Sequence, residues 1–198
     1  KSLAGDYQTL RGNLARAGYE TRELERGRAV DDDVDVLFVL GNEALPPLPP
    51  PNDDCSNAVT IPTASFPVLT DTVDVTAATT TGDPAFCATT SHTAWYTFTP
   101  TVSATYTVTS CQASAPGTTA TDTVLGVYTA ASCGGPFTTV ACNDNDSSCT
   151  GGTTRSTVTT TLYAGTTYYI VVGTAGTTTP SPGAIQLAIS QLLPPAND

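Results

Sequence analysis

The stretch Ala184-Ile-Gln-Leu-Ala-Ile-Ser-Gln191 alternates strictly. Ile185, Leu187 and Ile189 fall on one side of an extended chain, and Gln186, Ala188 and Ser190 on the other. Side chains of a strand point to opposite faces with a period of two, so this octet reads as a strand with one buried and one solvated face. The same reading extends upstream. Thr93–Pro100 (TAWYTFTP) and Thr167–Gly173 (TYYIVVG) are more continuously apolar, as central strands are. Ala104–Cys111, Asp122–Thr129, Pro136–Cys142 and Ser156–Gly165 complete a series separated by turn residues. Thr occurs 39 times, and its β-branched side chain favours extended backbone. Eight or nine strands without a helix over residues 53–192 predict a mainly β fold, an antiparallel β-sandwich.

Composition changes near residue 45. Residues 1–45 hold six of the seven basic residues and nine of the eighteen acidic ones. Residues 46–198 hold a single Arg, Arg155, with nine Asp, no Lys and no Glu, and they carry all six cysteines. The two regimes are separated by ALPPLPPPNDD, Ala44–Asp54. Its prolines predict a semi-rigid, extended linker over 46–52. Within 1–45, Leu3, Tyr7, Leu10, Leu14 and Ala17 have helical spacing ending at Gly18. Tyr19–Leu24 and Asp33–Gly41 read as strands. This helix–strand–strand order resembles a fragment of a larger α/β domain. A segment so short buries too little apolar surface to stand alone, so it is expected to pack on something. Val36, Leu37, Phe38 and Val39 are the candidate assembly strand. The acidic run Asp31–Asp33 reads as a solvated turn.

The net charge of −11 argues against nucleic acid, which demands clustered Arg and Lys. No apolar run approaches the roughly 20 residues that cross a bilayer. The polar start at Lys1 carries no signal peptide, so any leader is expected to lie outside this chain. Six cysteines imply three disulfides in an oxidising, extracellular compartment. Fifteen pairings are open. Spacing alone does not choose among them; the expected ordering is Cys55–Cys87, Cys111–Cys149 and Cys133–Cys142. Zinc is the rival reading, disfavoured by the lack of a CxxC pair and by a lone His, His92.

Site chemistry concentrates in CNDNDSSC, Cys142–Cys149. Calcium takes six to eight oxygens, and Asn143, Asp144 and Asp146, with Asp122 at the start of a neighbouring strand, are the candidate calcium ligands. The loop lacks the Gly and Glu of an EF-hand. The competing reading is an Asx-turn loop that caps its own backbone. Asp53–Asp54 forms a second candidate cation site. A Ser or Cys nucleophile needs a base, and the only His, His92, lies in a polar loop, so catalysis is not expected. Trp95, Tyr96, Tyr128, Tyr168 and Tyr169 are candidates either for sugar stacking or for the core. Thr79–Thr81, Thr159–Thr161 and Thr177–Thr179 are candidate O-glycan carriers, and Asn145 sits in an Asn-Asp-Ser sequon.

The motifs NDDCSNAVTI, TAWYTFTP, DTVLGVYTAASCGG, VACNDND and GTTYYIVVG together resemble the prepeptidase C-terminal-like (PPC-like) β-sandwich modules of bacterial secreted proteins, over residues 52–192. That resemblance implies an extracellular, non-catalytic and often repeated module, although the peptidase domain that usually accompanies it is not in this chain. Leu193–Asp198 (LPPAND) repeats Leu48–Asp53 (LPPPND) at five of six positions. Residues 193–198 are therefore expected to open a further linker or repeat. The expected function is a structural or adhesive module of a surface array or head-to-tail fibre. The alternative is a carbohydrate- or protein-binding accessory domain of a secreted hydrolase.

Overall fold

The strands follow the apolar and β-branched runs. The computed structural model describes residues 47–176 and 183–192. The chain divides into two units, Lys1–Leu45 and Pro46–Asp198, and every described residue lies in the second. The helix, the strands and the assembly residues Val36–Val39 expected in the first unit lie outside the described residues, as do Thr177–Thr179. Seven longer strands carry the fold: β4 (Thr90–Phe98), β5 (Ala104–Thr109), β6 (Thr123–Thr129), β7 (Thr138–Asn143), β8 (Thr157–Leu162), β9 (Tyr168–Ala175) and β11 (Ala188–Leu192). Four two-residue strands join them: β1 (Val59–Thr60), β2 (Val68–Leu69), β3 (Val73–Asp74) and β10 (Ala184–Ile185). The count of eleven among the described residues exceeds the expected eight or nine because two-residue strands leave no periodicity to read. The octet 184–191 also splits: β10 pairs with β3, and β11 with β2 and β5.

Two sheets face each other. The first has the order β1-β4-β9-β6-β7, the second β2-β11-β5-β8. All pairings are antiparallel except that of β1 with β4, which is parallel. One apolar cluster joins the inner faces. It takes Tyr96, Phe98, Leu125, Val127, Ile170 and Val172 from the first sheet, and Tyr106, Val108, Val158, Leu162 and Ile189 from the second. Ile185, Leu187 and Ile189 are all 0% exposed, on the face that the alternation assigns to the core. Burying such a side chain contributes about 1.5–3 kcal/mol.

The outer faces differ. On the second sheet, Thr107 pairs with Thr159 and Thr109 with Thr157, their hydroxyls 2.9 and 2.8 Å apart. These threonines satisfy one another across strands without charge. On the first sheet, Trp95, Tyr128, Tyr169 and Val171 form a second core beneath Cys55, Ala58, Phe86, Cys133 and Phe137. The Trp95 and Phe137 ring centroids lie 5.3 Å apart, those of Phe137 and Tyr169 5.4 Å. This second layer explains why β9 is apolar at successive positions rather than at alternate ones: Tyr168, Ile170 and Val172 fill one core, Tyr169 and Val171 the other. Gly126 belongs to the same arrangement, because a Cβ there would collide with the Tyr128 ring.

Disulfides hold the second layer down. Cys55 pairs with Cys133, Cys87 with Cys142, and Cys111 with Cys149. Two of the expected pairings, Cys55–Cys87 and Cys133–Cys142, are thus corrected. The reason is the second core: the loops bearing Cys55 and Cys133 meet over Trp95, although 78 residues separate them in the chain. Counting along the chain, the first cysteine joins the fourth, the second the fifth and the third the sixth, so all three bridges cross. With no free cysteine, the zinc reading has no thiolate to use.

The proline linker ends inside the fold. Pro50 is buried, and Asn52 is 1% exposed. The Asn52 side-chain amide donates to the Trp95 carbonyl (3.0 Å), and the Trp95 N–H donates to the Asn52 carbonyl (2.8 Å). Asn52 is therefore an anchor on β4 rather than the last residue of a free spacer.

Candidate functional site

The candidate cation residues assemble at one end of the β6–β7 ladder. Asp122 immediately precedes β6, and Asp144 immediately follows β7, whose Asn143 pairs with Leu125. The Ser156 hydroxyl ties the two segments together, reaching the carbonyl of Asp144 (3.0 Å) and that of Thr123. The ends of the loop are fixed separately, Cys142 to Cys87 and Cys149 to Cys111.

The four candidate ligands fall into two pairs. Asn143 is committed locally: its Oδ1 accepts the Thr157 N–H (3.1 Å), and its Nδ2 donates to the Asn145 carbonyl (3.2 Å). Asp146 is committed too. Its Oδ1 accepts the Ser148 hydroxyl (2.6 Å) and the Ser148 N–H (2.9 Å). The Ser148 hydroxyl, more than any other group, lowers the Asp146 pKa below the ordinary carboxylate value. These two residues follow the Asx-turn reading. Asp122 and Asp144 do not. The Oδ1 of each is buried and receives no hydrogen bond, while Asp144 Oδ2 accepts the Asn145 amide (2.9 Å). The Asp122 pKa is raised, first by burial and then by the negative charge of Asp144. Each of these two carboxylates thus keeps one oxygen without a donor.

Arg155 and Ser156 organise this end of the molecule, and neither stood out in the sequence beyond Arg155 being the sole basic residue of its unit. Arg155 is 4% exposed. Its Nε donates to the Ala120 carbonyl (2.8 Å) and its Nη1 to that of Gly151. Gly151, at φ +93°, takes a left-handed conformation that glycine alone adopts freely. Cys111, Asp146 and Cys149 also bring potential ligand atoms within 4.8 Å of one another, but the two sulfurs are bonded together and leave no thiolate for a metal.

At the linker, the Asp53 carboxylate is occupied by the Thr79 N–H (2.6 Å) and the Thr79 hydroxyl (2.9 Å). The half-buried Asp83 accepts the Trp95 indole N–H (2.9 Å) and the Thr93 hydroxyl (2.8 Å). Burial raises the Asp83 pKa against these hydrogen bonds, and the charges of Asp53 and Asp54 add to the rise.

His92 sits at a bulge of β4 with φ +53°. Its Nδ1 is buried without a hydrogen-bond partner, so no hydroxyl is held against that nitrogen. Trp95, Tyr96, Tyr128, Tyr168 and Tyr169 are 0 to 9% exposed and belong to the two cores. Of the other modification candidates, Thr79, Thr80, Thr81, Asn145, Thr159 and Thr161 are exposed and Thr160 is half-buried. Among the described residues, no helix is long and apolar enough to cross a membrane. Comparison with protein-family models, with curated proteins and with solved structures found no match.

Proposed function

We propose that this chain is a non-catalytic, extracellular structural module, a unit of an end-to-end series in a surface array or fibre. The reading rests on the repeated hexapeptide. In its first copy, LPPPND, Asn52 is a buried anchor on β4. The second copy, LPPAND, places Asn197 at the equivalent position, beyond the described residues. A unit that carries the anchoring word at both ends is suited to head-to-tail connection. Such a heterologous contact does not close and so extends into a filament.

Further features agree with this reading. Three disulfides suit an oxidising compartment. Strand β7 lies at the edge of the first sheet with Thr138, Thr139 and Val140 exposed. An edge strand offers unpaired backbone groups to a strand from a neighbouring copy, and Val36–Val39 is apolar enough to be that strand. The PPC-like motifs point to the same class of secreted module. The five aromatic candidates for sugar stacking are core residues and offer no stacking face to the carbohydrate-binding alternative.

Electron microscopy and sedimentation of the full chain test the proposal. The expected result is concentration-dependent, end-to-end particles that disappear when Phe38→Asp removes the apolar strand. Monomers alone at high concentration, with calcium present, overturn it.

A further inference from the structure

We propose that two of the three disulfides, Cys55–Cys133 and Cys87–Cys142, form a reducible latch over the first sheet, and that a small dithiol opens them and uncovers the second core before the third bridge yields. Thiol–disulfide exchange needs a thiolate to reach a sulfur atom, so access ranks the bridges. Cys87 is exposed, and Cys55, Cys133 and Cys142 are half-buried. Cys111 and Cys149 are each 6% exposed. The balance of each opening is simple. The dithiol gives up two electrons and two protons, the S–S bond of the protein becomes two thiols, and the reductant closes to its own cyclic disulfide.

The two accessible bridges hold one layer. Cys55 and Cys133 pack directly on the cluster of Trp95, Tyr128, Tyr169 and Val171. Cys87 follows Phe86, whose ring centroid lies 5.9 Å from that of Tyr128. Cys133 and Phe137, which meets Trp95 and Tyr169, sit on the same loop. The covering segments 83–87 and 130–137 contribute no strand. Side-chain hydrogen bonds tie only one of them to the sheet beneath: the Tyr128 hydroxyl donates to the Ala85 carbonyl (3.2 Å), and the Trp95 indole and Thr93 hydroxyl donate to Asp83. Segments outside a ladder open locally at low cost, so the bridges keep this layer shut. The core between the two sheets contains none of the six cysteines. That core and the buried Cys111–Cys149 bridge therefore outlast the first two reductions. The opened module presents Trp95, Tyr128 and Tyr169 to solvent, an apolar face that the oxidised one conceals. Reduction thus switches the character of this surface rather than unfolding the sandwich.

The test uses the full oxidised chain at low concentration, so that it stands apart from assembly, titrated with dithiothreitol. Rapid alkylation with N-ethylmaleimide and peptide mapping score each cysteine. Emission from Trp95, the only Trp, ANS fluorescence and far-UV circular dichroism are followed in parallel. Cys55, Cys87, Cys133 and Cys142 should label fully while Cys111 and Cys149 stay unlabelled. In that state Trp95 emission should shift to the red and ANS fluorescence rise, with the β signal retained. In the variant carrying Cys55→Ala and Cys133→Ala, one bridge of the latch remains, and the red shift should come with the labelling of Cys87 and Cys142 alone. Labelling of Cys111 and Cys149 with or before the others overturns the proposal. So does emission that stays blue-shifted once the accessible cysteines are labelled, or collapse of the β signal in the same step.

Discussion

An alanine pair at Cys55 and Cys133 removes the bridge that clamps two loops over Trp95. The cysteines are 78 residues apart, but the relevant loop is shorter. With Cys87–Cys142 intact, the shortest covalent path runs from Cys55 to Cys87, across that bridge, and back from Cys142 to Cys133, about 41 residues. The loop-entropy relation then assigns the bridge about 4 kcal/mol, acting on the unfolded chain. For a chain of this size, that loss corresponds to a fall in Tm of about 8–16 °C. Urea unfolding under non-reducing conditions measures it. Trp95 is 0% exposed and is the only Trp, so its emission reports the second core directly. The native variant should keep blue-shifted emission and unfold at lower denaturant. A loss below about 1 kcal/mol refutes the entropic argument, and peptide mapping that joins Cys55 to Cys87 refutes the pairing behind it.

Two further perturbations probe the linker face. Asn52→Ala removes the amide that holds the Trp95 carbonyl and should cost about 1–3 kcal/mol in urea unfolding; unchanged stability contradicts the anchor role. Asp83→Asn should alter the pH dependence of stability. The folded-state pKa of Asp83 is raised above its unfolded value, so the group opposes folding at neutral pH and ceases to as pH falls from the folded pKa towards the unfolded one. Asp74 and Asp146 have lowered values and act in the opposite sense, losing their contribution as pH falls. The informative quantity is therefore the stability difference between variant and parent. Asp83→Asn leaves one of the two acceptors missing at every pH, but its stability relative to the parent should be better at pH 7 than at pH 4; parallel curves contradict it.

The long strands were legible because packing between two sheets imposes a period of two. Ile185, Leu187 and Ile189 could be assigned to the core by spacing alone. The second core was not legible. Phe86 and Phe137 come from loops, where no period marks a residue as buried, and only the unbroken run Tyr168–Val172 hinted that β9 is covered on both faces. The disulfide pairing was hidden for the same reason, since it follows contacts across that layer rather than distance along the chain. At the acidic loop, residue types pointed to calcium at four positions alike. Side-chain hydrogen bonds, invisible to spacing, separate the occupied Asn143 and Asp146 from the orphaned Asp122 and Asp144. Asn52 was read as spacer because the prolines before it dominate the local pattern, whereas its burial depends on a partner 43 residues away.

The crossed order of the bridges has a mechanical corollary. Any single backbone cut between Cys55 and Cys149 leaves fragments still joined by at least one sulfur–sulfur link. A protease that nicks an exposed turn within that span therefore scars the module without severing it. Tension along a row of such units would continue to pass through the damaged one until reduction or repeated cleavage released it.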